Sequence, residues 1–442
     1  IRTVIKLNKD NIFPGDVFVL NAPFNGGTHL PDVTVITPVF DKVGKEIIFF
    51  VASRGHHADI GGTTPGSGPP DSKHIEEEGV LIDNFKMFDK GVFKEKEMKN
   101  ILSSGKYPCR NVDHNMADLA AQVAANKTGI NEIKSMIDQF GIKTVQAYMN
   151  HVQDNAEECI RKAITNLREG KYEYELDNGE FIKVTIKINK IKREATIDFT
   201  GTAEKNPFNY NAPMAVCHAV ILYVFRTLVG NNIPLNEGCF KPLNIIIPNN
   251  SMINAKYPSA VIAGNTEVSQ LTCNALFGAL GVIAGSQATM NNFIWGNDKI
   301  QNYETICGGT GAGPDFHGTS AIQTHMTNTR STDPEVLETR FPVRLEEFSI
   351  RKNSGGKGNY TGGDGVTRKL RFLEPMTVTT LCSHRRVKPF GVNGGKPGEC
   401  GKEWLETNDG KIINLKGNDS CQVRENDLFI METPGGGGFG SQ

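Results

Sequence analysis

Thr28-His29-Leu30-Pro31-Asp32 and Arg54-Gly55-His56-His57-Ala58-Asp59 bracket two runs, Val33 to Phe40 and Ile47 to Ser53, rich in β-branched and aromatic residues. Such runs favour strands. Asp41-Lys42-Val43-Gly44 between them has a tight-turn composition, so the whole reads as a β-hairpin. With the pairing pivoting near Val43 and Gly44, Asp32 falls opposite Gly55 and His29 near Ala58. Three histidines and two aspartates then gather at the open end of one hairpin. Neutral imidazoles with carboxylates are the donor set of a catalytic divalent metal. Side chains alternate along a strand, so His57 and Asp59 share a face and His56 points away. The favoured ligands are therefore His29, Asp32, His57 and Asp59, with His56 behind them or substituting for one. No thiolate joins the set, which suits Mn, Fe or Zn better than a Cys-type structural zinc. The competing reading is that these residues cap turns.

Outward from the hairpin, residues 1 to about 60 read as β-rich, with Thr3 to Leu7 strand-like and Val17 to Leu20 a strand after a Pro-Gly turn. Gly61 to Pro70 is a Gly- and Pro-rich loop, able to fold over a site or simply to connect. A helix is expected over Asn115 to Asn126, capped by Asn115, with Met116, Leu119, Val123 and Ala124 on its apolar face. Helical pattern resumes over 131–140 and 142–167. A β-rich section covers 172–199, and mostly apolar helices follow at Pro213 to Val229 and Ser269 to Ala284. Beyond residue 345 glycine becomes frequent and short strands alternate with turns. The tail Thr433 to Gly440 is too Gly-rich for regular structure. The expected class is α+β, a multi-layer mixed fold: a β-rich region with the His/Asp cluster (1–114), a helical segment (115–170), a mixed core (171–345) and a C-terminal antiparallel β-module (346–442).

The 48 basic and 49 acidic residues leave no basic stripe for nucleic acid, and no basic amphipathic helix for a membrane surface. The longest apolar stretch, Ala215 to Val229, is broken by His218 and Arg226, so no membrane span is expected. Nine cysteines without CxxC spacing point to reduced thiols and a cytoplasmic location. The chain starts at Ile1 within a strand-like run, which leads us to expect an upstream segment. Other polar candidates are weaker. Asp113, His114, Asn115 and Asp118 cluster at a helix start, where capping explains most of them. Glu267 precedes a helix, and Glu304 precedes Cys307 and a Gly-rich loop, with His317, His325 and Asn328 beyond. That loop matches neither phosphate-cradling pattern. Cys307 as a nucleophile needs a nearby base.

GDVFVLNAPFNGGTHLPDVTVITPVF, FFVASRGHHADIGGTTPGS, DLAAQVAAN, NIPLNEGC, GNTEVSQ, YETICGGTGAGP, HMTNTRSTDPEVLE, SGGKGNYTGGDGVTR and TPGGGGFG occur in that order from near one end of the chain to the other. Together they resemble the hydantoinase B/5-oxoprolinase family, in its eukaryotic type. The resemblance implies ATP-dependent opening of the lactam 5-oxoproline to glutamate. A hydantoinase A-like half, in the same polypeptide or as a separate subunit, would hold ATP and Mg and phosphorylate the lactam oxygen. This half would complete hydrolysis, as part of a homo-oligomer. The resemblance implies a metal at His29 and Asp32 with His56 or His57, and leaves Asp118 or Glu267 as general base. Where relatives read His-Asp-Asn, this chain has Asp113-His114-Asn115, which counts against a role for Asp113 or His114. An ATP-dependent hydantoinase, a carboxylase-type subunit or a non-catalytic scaffold are the alternatives.

Overall fold

A computed structural model describes all residues except Asn231, Asn328 and Gln442. The first sheet runs in the order β3-β2-β1-β4-β5 and is antiparallel throughout. Its strands are β1 (Val17–Leu20), β2 (Asp32–Phe40), β3 (Ile47–His56), β4 (Phe85–Asp89) and β5 (Val92–Phe93). Helices α2 (Glu95–Leu102) and α3 (Val112–Phe140) accompany it. Val19, Val33 and Val35 of the sheet share a core with Met98, Leu102 and Leu119 of these helices.

The run Thr3 to Leu7, expected as a strand, is instead part of helix α1 (Arg2–Asn8). Only Val4 of this helix is buried, against Ile12, Phe18, Leu20 and Ile36. Burying a single side chain against the sheet face asks for no alternating strand pattern, and this tertiary contact overrides β propensity here.

The second sheet, β6-β7-β8-β9, comprises β6 (Gly170–Glu175), β7 (Phe181–Asn189), β8 (Glu194–Asp198) and β9 (Leu243–Ile246), the last pair parallel. Its apolar face is covered by α4 (Ile142–Asn166), α5 (Met214–Thr227) and α6 (Ser269–Leu280), which together build the largest core. Ahead of α6, Gly264–Val268 forms a π-turn that carries Glu267. The buried Glu78 carboxylate accepts backbone N–H groups of Val261 (2.9 Å) and Ile262 (3.0 Å) where this helical stretch begins, satisfying donors that would otherwise be orphaned.

Two further antiparallel sheets pack face to face. One, β11-β10-β14-β17, comprises β10 (Asn292–Gly296), β11 (Gln301–Thr305), β14 (Met376–Leu381) and β17 (Asn418–Val423). The other, β12-β13-β18-β15-β16, comprises β12 (Val343–Ile350), β13 (Val366–Phe372), β15 (Lys402–Glu406), β16 (Ile412–Leu415) and β18 (Leu428–Glu432). Phe293 stacks on Phe429 at 4.7 Å between them, and Trp295 meets Phe372 edge-on. Because β10 pairs with β14, the expected boundary at 345 does not separate two modules. A strand of the presumed mixed core is an interior member of the presumed C-terminal sheet.

The glycine tail forms no strand, yet it is buried. Gly437 donates to the Gly285 carbonyl at 2.7 Å and accepts from Ala312 at 3.0 Å, and Gly309 donates to Pro434 at 3.1 Å. The Gly-rich loop after Cys307 is thus packed against the tail. A Cβ at Gly436 would lie 1.8 Å from the Thr310 carbonyl oxygen. Among the described residues no helix is long and apolar enough to cross a membrane, and the nine cysteines are free. Gly436→Ala is expected to destabilise the fold by about 2–3 kcal/mol through overpacking. The urea midpoint checks this, and an unchanged midpoint would refute the tight threading.

Candidate metal centre

The hairpin forms as expected, with one difference that decides the site. Phe40 pairs with Ile47, but Val39 pairs with Phe49, so Ile48 is an extra residue in β3. Without this bulge Asp32 would face Gly55; with it, Asp32 faces His56. A one-residue shift exchanges the two faces of a strand. His56 therefore joins Asp32, and His57 turns to the opposite side.

His29 Nδ1 lies 3.0 Å from Asp32 Oδ2, and His56 Nδ1 lies 3.0 Å from Asp32 Oδ1. One ligand atom from each of these three residues falls within 4.8 Å of the other two, a group that could hold a divalent ion. The His29 contact is close but not aligned as a hydrogen bond, and its buried Nδ1 has no other partner. Two imidazoles and a carboxylate converging this closely form an N/O donor set that suits a divalent cation. Thr28 Oγ1 donates to Asp32 Oδ2 at 3.0 Å. Burial alone would raise the Asp32 carboxyl, but the charge of the adjacent His29 and the charge and hydrogen bond of His56 hold it well below the usual carboxylate range. The two imidazoles thus favour the carboxylate form of Asp32.

His57 and Asp59, expected as ligands, lie apart from this group. Both ring nitrogens of His57 are engaged by α3: Nδ1 with Asn115 Nδ2 at 3.0 Å and Nε2 with Gln122 Oε1 at 3.2 Å. An amide N–H on Nδ1 and an amide oxygen on Nε2 select the neutral tautomer protonated at Nε2. Burial acts in the same sense, lowering the imidazole. Gly55 makes room for this contact, since a Cβ there would meet Gln122 at 3.0 Å. Asp59 accepts from Gly61 N (2.9 Å) and Gly66 N (3.0 Å), and from Arg110 Nη1 (2.8 Å). Its carboxylate organises the loop and has little capacity left for an ion.

A narrow cleft opens beside the three-residue group, with about 20 Å³ of free space, room for one water or ion. His29, His56, Gly66, Asn292 and Tyr303 are among its walls. The loop Gly61 to Pro70 thus contributes backbone to this cleft. Tyr303 lies over His56, with ring centroids 6.0 Å apart and planes at 25°. Its hydroxyl meets Asn292 Oδ1 at 2.6 Å, and Asn292 Nδ2 meets Glu267 Oε1 at 2.8 Å. Tyr303 and Asn292 were missed from sequence. Both are single polar residues in strand-like runs, and only the pairing of β10 with β11 brings them together.

The remaining candidates lie elsewhere. Asp118, on α3, is partly exposed beside His114 (4.0 Å) and does not join the group. Glu304 is paired with Arg368 in a buried ion pair at 2.8 Å. Burial pushes the Cys307 thiol up, opposite to what a nucleophile needs. His317 bonds Thr361, and His325 bonds Asn274; Asn328 lies outside the described residues.

The whole chain, residues 1–442, matches the model of the hydantoinase B/oxoprolinase family, and it belongs to that family. It is 46% identical to 5-oxoprolinase 1 of Arabidopsis thaliana over 100% of its own length and 37% of that protein. Against the 5-oxoprolinase of Dictyostelium discoideum it is 43% identical over 97% of its length and 34% of the relative. The chain therefore spans about a third of these curated relatives. Among solved structures, the ATP-dependent caprolactamase from Pseudomonas jessenii superposes with a TM-score of 0.88, covering 100% of this chain and 80% of that one. At 24% identity this likeness establishes the shared fold.

Burial pushes the Glu267 carboxyl up to about 7, partly offset by neighbouring hydrogen bonds and the Arg385 guanidinium. A carboxyl that binds its proton more tightly when folded stabilises fully below its unfolded value, 4.5, and loses that contribution as pH rises through about 7. The denaturant midpoint should therefore fall between about pH 5 and 8, with Glu78, also pushed up to about 7 by burial, contributing in the same direction. Glu267→Gln is expected to shallow that fall; an identical pH slope would contradict a buried, proton-holding Glu267.

Proposed function

We propose that this chain is the ring-opening half of an ATP-dependent 5-oxoprolinase, converting 5-oxo-L-proline to L-glutamate together with an ATP-binding half. The observation that carries this reading is end-to-end similarity, at 43% and 46% identity, to proteins named as 5-oxoprolinases. The partner half, in the same polypeptide or as a separate subunit, would bind ATP and Mg and phosphorylate the lactam oxygen. It corresponds to the roughly two thirds of those relatives that this chain does not span.

The chemistry suits the donor set beside the cleft. A lactam is a resonance-stabilised amide and a poor electrophile; a phosphorylated lactam oxygen is a leaving group that makes the carbon attackable. Water then adds to that carbon, and the adduct collapses by breaking the C–N bond as the ring nitrogen takes a proton, leaving an acyl phosphate that a second water hydrolyses to the carboxylate and inorganic phosphate. His29, Asp32 and His56 would hold a divalent ion, for which their N/O set favours Mn, Fe or Zn. Such an ion supplies Lewis acidity and a lowered pKa for water bound to it.

This chain's own residues do the positioning. Asp32, favoured as the carboxylate, is oriented by Thr28 and His56, and buried His29 lies beside it. Of the two carboxylates expected as general base, Glu267 is the one in contact with a cleft residue, through Asn292. We therefore assign proton holding to Glu267 and none to Asp118.

His29→Ala and Asp32→Ala in the full-length protein should each lower 5-oxoproline-dependent glutamate formation by roughly 100-fold, with the fold retained by circular dichroism. Unchanged turnover would make this half a scaffold. Turnover of a hydantoin with none of 5-oxoproline would assign a different substrate.

A further inference from the structure

Asn292 is fully buried, and its amide is oriented by its neighbours. Nδ2 donates to the Leu381 backbone carbonyl and to Glu267 Oε1. A backbone carbonyl accepts and cannot donate, so the nitrogen must face Leu381 and the oxygen must face Tyr303. Glu267 Oε1 is itself held by the Met290 backbone N–H at 3.1 Å, which keeps it in place as an acceptor. The Tyr303 hydroxyl consequently spends its only hydrogen on Asn292 Oδ1, at 2.6 Å. What remains on that oxygen is lone pairs, and Tyr303 is a wall of the cleft shared with His29 and His56.

We propose that Tyr303 is a positioning residue of this centre: Asn292 and Glu267 lock its hydroxyl so that it presents an acceptor, never a donor, to a single water beside His29, Asp32 and His56. The inference rests on the reading of those three residues as a metal centre. The cleft's free space, about 20 Å³, suits one water and is far too small for a lactam ring. A water that donates one hydrogen to Tyr303 has its orientation fixed, which leaves a lone pair free to be aimed at a reacting carbon. The tyrosine ring has a separate task, lying against the His56 imidazole. Hydroxyl and ring can therefore be tested independently.

The test uses the full-length protein with its ATP-binding half, titrated with Co²⁺ and followed by its visible absorption, alongside steady-state kinetics. Tyr303→Phe keeps the ring, so Co²⁺ affinity should stay within about threefold, while kcat falls about tenfold, the loss expected for one hydrogen bond. KM should change less than about twofold, and the acidic limb of the pH–kcat profile should shift. Asn292→Leu, which frees the hydroxyl, should reproduce that kinetic signature, and Tyr303→Ala should additionally weaken Co²⁺ binding. Wild-type kcat and pH profile in Tyr303→Phe would overturn the proposal, as would loss of Co²⁺ in that variant to the extent seen in His29→Ala. If His29→Ala binds Co²⁺ as the wild type does, the metal reading itself fails and takes this inference with it; a normal His29→Ala defect with a silent Tyr303→Phe sinks the inference alone.

Discussion

One unpaired residue, Ile48 in β3, sets the geometry of the site. It shifts the β2–β3 pairing by a single position, so that Asp32 faces His56 and not Gly55. Strand side chains alternate, and the shift exchanges the face on which every later residue of β3 stands. His56 is delivered to the carboxylate and His57 to the helix behind. Both placements follow from the same bulge.

Helix α3 then locks that register. Its buried face carries amides where hydrocarbons would be expected: Asn115, Gln122 and Asn126 lie on it together with Leu119. Gln122 donates to the Val33 carbonyl at 2.9 Å, and Asn126 donates to the Val35 carbonyl at 3.1 Å. A slipped hairpin would strand these buried amides, each costing about 1–3 kcal/mol. The site accordingly stands on two strands, with a third layer, Tyr303 and Asn292, supplied from a different sheet. The centre is built where the first sheet meets β10 and β11, which explains why no contiguous motif contains all of it.

Much of the hairpin was legible in the sequence, because strand propensity, turn composition and the density of His and Asp agreed over Thr28 to Asp59. The bulge was not. Ile47-Ile48-Phe49-Phe50 is uniformly apolar, so nothing in it marks which residue lacks a partner, and the choice between His56 and His57 depended on that one count. Helix α1 was hidden by a β-branched run with only one buried position. Glu267 stood out as a carboxylate beside a helix, yet its burial in a π-turn and its link to Tyr303 through Asn292 are tertiary facts. Near the expected boundary at 345, the pairing of β10 with β14 is likewise a tertiary fact, and the rise in glycine content coincides with the close-packed loops around the buried tail.

The most direct test of this account compares divalent-metal affinity in His56→Ala and His57→Ala, with both proteins shown to be folded. If the bulge sets the register, His56→Ala loses Mn²⁺ binding by roughly 10- to 100-fold, while His57→Ala retains it and shows a loss of thermal stability. Retained binding in His56→Ala, with binding lost in His57→Ala, would contradict it.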